Sequence, residues 1–123
     1  MDNLIDAIVN NDLNAIEQLL RNGADINKKY EYDYTPLHVA VQENNIDIVK
    51  YLLENGAGLE NRDIYGNTPL IRAVSSFREN GDIIEYLLAN GADKDTKNNS
   101  GISALEWAGN VANYDIVKYF RAE

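Results

Sequence analysis

One eleven-residue phrase recurs along this chain, and the recurrence limits the fold more than any other feature. It reads Asp47-Ile48-Val49-Lys50-Tyr51-Leu52-Leu53-Glu54-Asn55-Gly56-Ala57, returns as Asp82-Ile83-Ile84-Glu85-Tyr86-Leu87-Leu88-Ala89-Asn90-Gly91-Ala92, and is cut short as Asp115-Ile116-Val117-Lys118-Tyr119-Phe120. A looser copy, Asn14 to Ala24, opens the series. The spacing is 33 residues from Gly23 to Gly56 and 35 from Gly56 to Gly91. A period of that size belongs to stacked repeats, where no unit can bury its apolar face alone and three or more are needed for stability.

Each period reads as two short helices. Apolar residues at i, i+4 spacing mark both stretches. Thr35 and Thr68 suit N-caps, and Pro36 and Pro69 suit the first helical position, where the N–H would be unpaired anyway. Asp47, Asp82 and Asp115 are expected to cap the second helix in the same way. Gly23, Gly56 and Gly91 stand where a left-handed C-cap favours a residue without Cβ. Leu20, Leu53 and Leu88 are expected to pack on the next unit, and Arg121 in the equivalent place implies no further repeat. Ala40, Ala73 and Ala108 recur where neighbouring helices would touch. The stretches Lys28 to Tyr34, Glu60 to Asn67 and Lys94 to Ile102 are polar turns or hairpin arms.

The motifs Thr35-Pro36-Leu37-His38-Val39-Ala40 and Thr68-Pro69-Leu70-Ile71-Arg72-Ala73, with a weaker Ser103-Ala104-Leu105-Glu106-Trp107-Ala108, precede three of the copies. In this the chain resembles the ankyrin repeat family over nearly its whole length. The resemblance implies an all-α fold, an ankyrin-repeat solenoid of four helix-turn-helix units joined by β-hairpin-like arms. The units would form a single domain, with repeats at about 1–29, 30–62, 63–97 and 98–123 and the outer two acting as caps.

Composition excludes several functions. There is no cysteine, so no disulfide framework or thiolate metal site is possible, and neither a leader-like stretch after Met1 nor a membrane-length apolar run occurs. The expectation is a cytoplasmic monomer with no membrane contact. Asp plus Glu number 20 against 11 Lys plus Arg, a formal charge of −9. Such a surface repels nucleic acid and attracts a basic protein, or simply keeps the chain in solution.

Catalysis finds little support. A nucleophilic triad would have to use His38, the one histidine, and the resemblance instead makes its imidazole a tie between hairpin and helix. No glycine-rich phosphate loop, metal-ligand cluster or cofactor motif is present, and the exposed acid pairs Asp93/Asp95 and Glu31/Asp33 are ordinarily just solvated. The expectation is a protein that is not an enzyme.

Function is then expected in a surface. The resemblance places Glu31, Tyr32 and Tyr34 on the first hairpin tip, Ile64, Tyr65 and Asn67 on the second, and Asn99, Ser100 and Ile102 on the third. The face of the first helices would show Asp6, Val9, Asn10, Val39, Gln42, Glu43, Arg72, Ser75, Ser76, Trp107, Asn110 and Val111. Arg72 and Trp107 stand out. Aromatic side chains are common binding anchors, and Tyr32, Tyr34 and Tyr65 are favoured over Tyr51, Tyr86 and Tyr119, which recur as a convex packing stripe. Tyr30 is expected to pack on its own hairpin, and Trp107 is either core or anchor.

Departures from the repeat add candidates. The loop Ser75 to Gly81 is two residues longer than its counterpart, which offers Arg78 and Glu79 to a partner and folds Phe77 back. Asp33 replaces the tip glycine seen as Gly66 and Gly101, a place where aspartate tolerates positive φ. His38 gives way to Ile71 and Glu106, which weakens the expected ties there. Asn27, in a hairpin, resembles an asparagine that is hydroxylated in animal ankyrin proteins, although local hydrogen bonding is the simpler role. The leading expectation is a non-catalytic module that captures another protein on its concave face. The alternatives are a small acidic immunity or inhibitor protein against a basic toxin or nuclease, and a self-associating or designed scaffold.

Overall fold

Helix pairs follow one another as the repeat demands. The computed structural model describes residues 4–77, 81–110 and 115–121. The helices are α1 (Leu4–Val9), α2 (Leu13–Arg21), α3 (Pro36–Gln42), α4 (Ile46–Glu54), α5 (Pro69–Ser75), α6 (Asp82–Ala89) and α7 (Ala104–Asn110), with a tight turn at Glu31–Asp33 and a single 3₁₀ turn at Val117–Phe120. The first helices α1, α3, α5 and α7 stack in series, each also packed on its own partner, and α4 meets α6. Among the described residues there is no strand, only an isolated bridge between Lys97 and Ser103, so the arms are turns rather than a sheet.

The core runs through the stack. Ile8, Leu37, Leu70 and Ala104 from the first helices meet Ile16, Ile48, Leu52, Ile84, Leu87 and Ile116, all essentially inaccessible. Ala40, Ala73 and Ala108 are buried between adjacent helices, as their small size allows. In the second helices the leucines expected to pack do so, but at the edge of the core rather than at its centre. Leu52 and Leu87 are the fully buried leucines, whereas Leu20, Leu53 and Leu88 are half-buried against the core edge. In a helix adjacent residues stand about 100° apart, so only one of two neighbouring leucines faces the interior fully.

Thr35 and Thr68 do cap α3 and α5, with their hydroxyls accepting from the N–H of His38 and of Ile71. The second helices start differently from the expectation. Asn45 caps α4, accepting from Ile48 N–H, and Asp47 lies inside the first turn. Asp82 is the first residue of α6 behind Gly81, which provides no side-chain cap. Asp115 precedes only the 3₁₀ turn. Asp47 and Asp82 therefore act on the positive end of the helix dipole rather than as caps. The last copy of the phrase, expected as a helix, instead closes with the i→i+3 bonds Tyr119 N–H to Ile116 and Arg121 N–H to Lys118, those of a 3₁₀ turn.

Gly23, Gly56 and Gly91 take φ of +100°, +99° and +95°. The following alanine in each case donates back to Leu19, Leu52 or Leu87, the bond that terminates such helices. Among the described residues no helix is long and apolar enough to cross a membrane.

Candidate protein-binding surface

Three hairpins cross the ends of α3, α5 and α7 and share one backbone scheme. Tyr30 N–H donates to Tyr34 C=O, Asp63 to Asn67 and Asn98 to Ile102. In the second hairpin Asp63 Oδ1 accepts from the N–H groups of Tyr65 and Asn67, both at 2.9 Å. Asn98 Oδ1 serves Ser100 and Ile102 likewise in the third. Tyr30 has no oxygen within such reach of its own backbone, and the first hairpin tightens by another route. Tyr34 N–H reaches Glu31 C=O at 3.2 Å, while Tyr32 and Asp33 both adopt positive φ, +61° and +59°. Two successive left-handed residues define a type I′ turn. Asp33 thus takes the conformation expected of it, and the bulky Tyr32 takes it as well, at a cost that few side chains bear.

The tips are joined to one another. Ile64 N–H donates to Tyr32 C=O at 2.9 Å, and Asn99 donates through its N–H to Tyr65 C=O and through Nδ2 to Ile64 C=O, both at 3.0 Å. Gly66 is required at this junction, since a Cβ there would come within 2.8 Å of the Asn99 nitrogen. His38 locks the first unit to the second hairpin. Its Nδ1 accepts from Thr35 N–H, completing a capping box with that threonine, and Nε2–H donates to Asn67 C=O at 2.8 Å. Burial holds the imidazole below its usual value of 6.5, against the raising effect of the Asn67 carbonyl and the Asp63 carboxylate. His38 is thus neutral and committed to structure. Ile71 leaves a one-sided cap in the next unit. Glu106 restores the box in the last, accepting from Ser103 N–H while Ser103 Oγ accepts from Glu106 N–H, and these bonds hold its carboxyl below the usual range.

Arg72 faces inward to the hairpins. Its Nη2 donates to Asp63 Oδ2 at 3.2 Å and to the Tyr34 hydroxyl at 3.0 Å, and the guanidinium lies 5.0 Å from the Tyr34 ring centre. Asp63 is fully enclosed and the Arg72 side chain 17% exposed. Neither residue is a free surface charge. Tyr34, half-buried beside His38, belongs to the same clasp.

What remains outward is aromatic and aliphatic. Tyr32, Ile64 and Tyr65 are 50%, 53% and 52% exposed. The Tyr32 and Tyr65 rings stack, with centres 6.4 Å apart and planes 22° from parallel, and Tyr32 also tilts against Tyr34 at 5.7 Å. The structure therefore brings together Glu31, Tyr32, Tyr34, Ile64, Tyr65 and Arg72 of the expected site. Glu43 is not with them. It is the C-cap of α3, about 10 Å along the helix from the hairpin end, beside Val9 and Asn44 in a shallow cleft. Trp107 lies half-buried on α7 against the core. Arg78, Glu79 and Val111 fall outside the described residues. Phe77 does fold back, its ring 6.0 Å from Tyr119. Tyr51 and Tyr86 are half-buried along the second helices, with Lys50 over the Tyr86 ring.

Two roles were not expected from the sequence. Asp63 anchors the second hairpin, and Asn27, whose N–H bonds locally to Asp25 Oδ1 as expected, also bridges units through its side chain. Asn27 Nδ2 donates to Gly56 C=O, and its Oδ1 accepts from Gly58 N–H and Asn61 Nδ2. The signal for Asn27 was its repeat position, because Glu60, one period later, accepts from Asp93 N–H in the same way.

A family model of ankyrin repeats in three copies matches residues 4–98, and the chain belongs to the ankyrin repeat family. No curated protein sequence matches the chain. Ankyrin repeats are in general protein–protein interaction modules, and the family is typically non-catalytic.

Proposed function

We propose that this chain is a non-catalytic binding module that captures a partner protein on its hairpin tips and the adjoining first helices. The observation that carries this reading is the joint exposure of Tyr32, Ile64 and Tyr65 on hairpins whose backbones are hydrogen-bonded within themselves and to one another. Singly exposed apolar residues are ordinary, but an ordered aromatic and aliphatic group over rigid tips is typical of binding surfaces. The absence of a catalytic role is supported by His38, whose two nitrogens are both engaged within the fold.

Affinity capture with mass spectrometry tests the reading, using the parent chain, Tyr65→Ala and Tyr51→Ala as baits. Partners retained by the parent and Tyr51→Ala but lost by Tyr65→Ala support it. Loss on Tyr51→Ala alone, with folding intact in both variants, would place the binding surface on the second helices instead.

A further inference from the structure

Building on that reading, we infer that the tip surface of the first two hairpins recognises a basic segment of its partner, seating an arginine side chain against Tyr32 and Tyr65 with Glu31 and Asp33 as counter-ions. The fold already contains this arrangement once. Arg72 lies against the Tyr34 ring, 5.0 Å from its centre, with the Asp63 carboxylate 3.2 Å away. One ring further out, Tyr32 and Tyr65 offer two more aromatic surfaces, half-exposed and stacked, and Glu31 and Asp33 are exposed beside them. No cation among the described residues fills that outer position.

Charge complementarity selects the occupant. Arm cations are engaged elsewhere: Lys29 Nζ donates to Arg62 C=O, Arg62 to Lys97 C=O, Lys97 pairs with Glu106, and Lys28 lies over Tyr30. Glu31 and Asp33 form no ion pair among the described residues, and the whole chain carries −9. An acidic segment would thus meet uncompensated carboxylates, and a purely apolar one would desolvate them. Arginine suits the site better than lysine, because a planar guanidinium stacks on tyrosine while donating sideways to carboxylates. The positive φ of Tyr32, +61°, accompanies the alignment of its ring with Tyr65, a strained backbone at the point where the ligand would sit.

Three synthetic peptides of equal length, alternating glycine with arginine, lysine or glutamate, serve as probes in NMR titrations of the isotope-labelled full chain at low salt. The arginine peptide is expected to bind tightest, to shift the amides of 31–33 and 64–66, and to weaken roughly tenfold in Tyr32→Gly or Tyr65→Ala. Glu31→Gln with Asp33→Asn should weaken it several-fold, by about the worth of exposed charge pairs, while Tyr51→Ala leaves it unchanged. A preference for the glutamate peptide, equal binding of arginine and lysine peptides, or shifts spread over acidic residues with no effect of the tip variants would overturn the inference. If Tyr65→Ala abolishes partner capture while the arginine peptide ignores the tips, the binding-module reading stands and the arginine-specific one falls.

Discussion

The second and third hairpins are the same backbone put to different uses. In both, a side-chain oxygen at the first position, Asp63 Oδ1 or Asn98 Oδ1, gathers the N–H groups two and four residues on, and a glycine at φ +79° or +76° closes the turn. Above that shared frame the second tip exposes Ile64 and Tyr65. The third shows Asn99 and Ser100, and turns Asn99 back onto the second tip. The contrast separates what the fold needs from what it leaves free: the polar Asn99 side chain knits hairpins together, whereas the Ile64 and Tyr65 side chains stay half-exposed. The acceptors differ too, since Asp63 also neutralises Arg72 and Asn98 reaches Asn67 Oδ1.

The largest difference between the two hairpins should follow from removing those acceptors. Asp63→Ala strands Arg72 and two backbone N–H groups, and should cost about 3–5 kcal/mol of stability, the range for breaking an enclosed ion pair. Asn98→Ala loses neutral hydrogen bonds and should cost about 1–3 kcal/mol. Denaturant unfolding of both variants checks the order; equal losses would mean that the Arg72 clasp adds nothing.

On the outer side the ranking applies to binding. Tyr65→Ala should lower partner affinity by about 2 kcal/mol or more, as a desolvated aromatic anchor does, with a stability change within about 0.5 kcal/mol. Ser100→Ala on the third tip should alter neither quantity appreciably. Calorimetric titration of a captured partner, with melting curves alongside, measures both, and a Ser100 effect as large as that of Tyr65 would erase the distinction between tips.

A smaller effect tests the link from α3 to the second hairpin, which no histidine provides to the third. The His38 imidazole has its proton affinity lowered by burial, so the unfolded chain takes up a proton first as pH falls. His38 stabilisation should be complete above the ordinary imidazole value of 6.5 and decline as pH drops through it towards the folded value. The stability gap between the parent and His38→Gln should therefore narrow from pH 7.5 to pH 5. A constant gap would mean that the imidazole protonates equally in both states.

The smallest effect concerns the first tip, where Asp33 stands in the place of Gly66. Asp33→Gly removes the penalty of φ +59° and should raise stability by about 0.5–1 kcal/mol. A melting temperature below that of the parent would show that the aspartate contributes something its backbone angle conceals.

Much of this was legible because the repeat writes its local rules into sequence. Thr35-Pro36 and Thr68-Pro69 mark helix starts through capping chemistry, and Gly23, Gly56 and Gly91 mark the ends through their positive φ. The start of α4 was not legible. Asn45 and Asp47 both carry side chains able to cap, and the choice falls to Asn45 because Asn44 turns the chain with φ +59°. The buried choice between Leu52 and Leu53 likewise depends on how the helix is rotated in the stack. Among the candidate residues, exposure at Tyr32 and Tyr65 followed from tip position. The clasp of Arg72 on Tyr34 and Asp63 did not, since it joins residues up to 38 apart with no local pattern to announce it.

The central claim is that the first two tips form a binding surface the fold itself does not need, and Tyr32→Gly probes it most directly. Glycine accepts the backbone angle of +61° at no steric penalty and removes the exposed ring. The melting temperature of this variant and its affinity for a captured partner should be measured on the same preparation. Unchanged or raised melting temperature with roughly a tenfold or greater loss of affinity is the expected result. A lowered melting temperature with affinity intact would contradict the account, since Tyr32 would then be a structural residue.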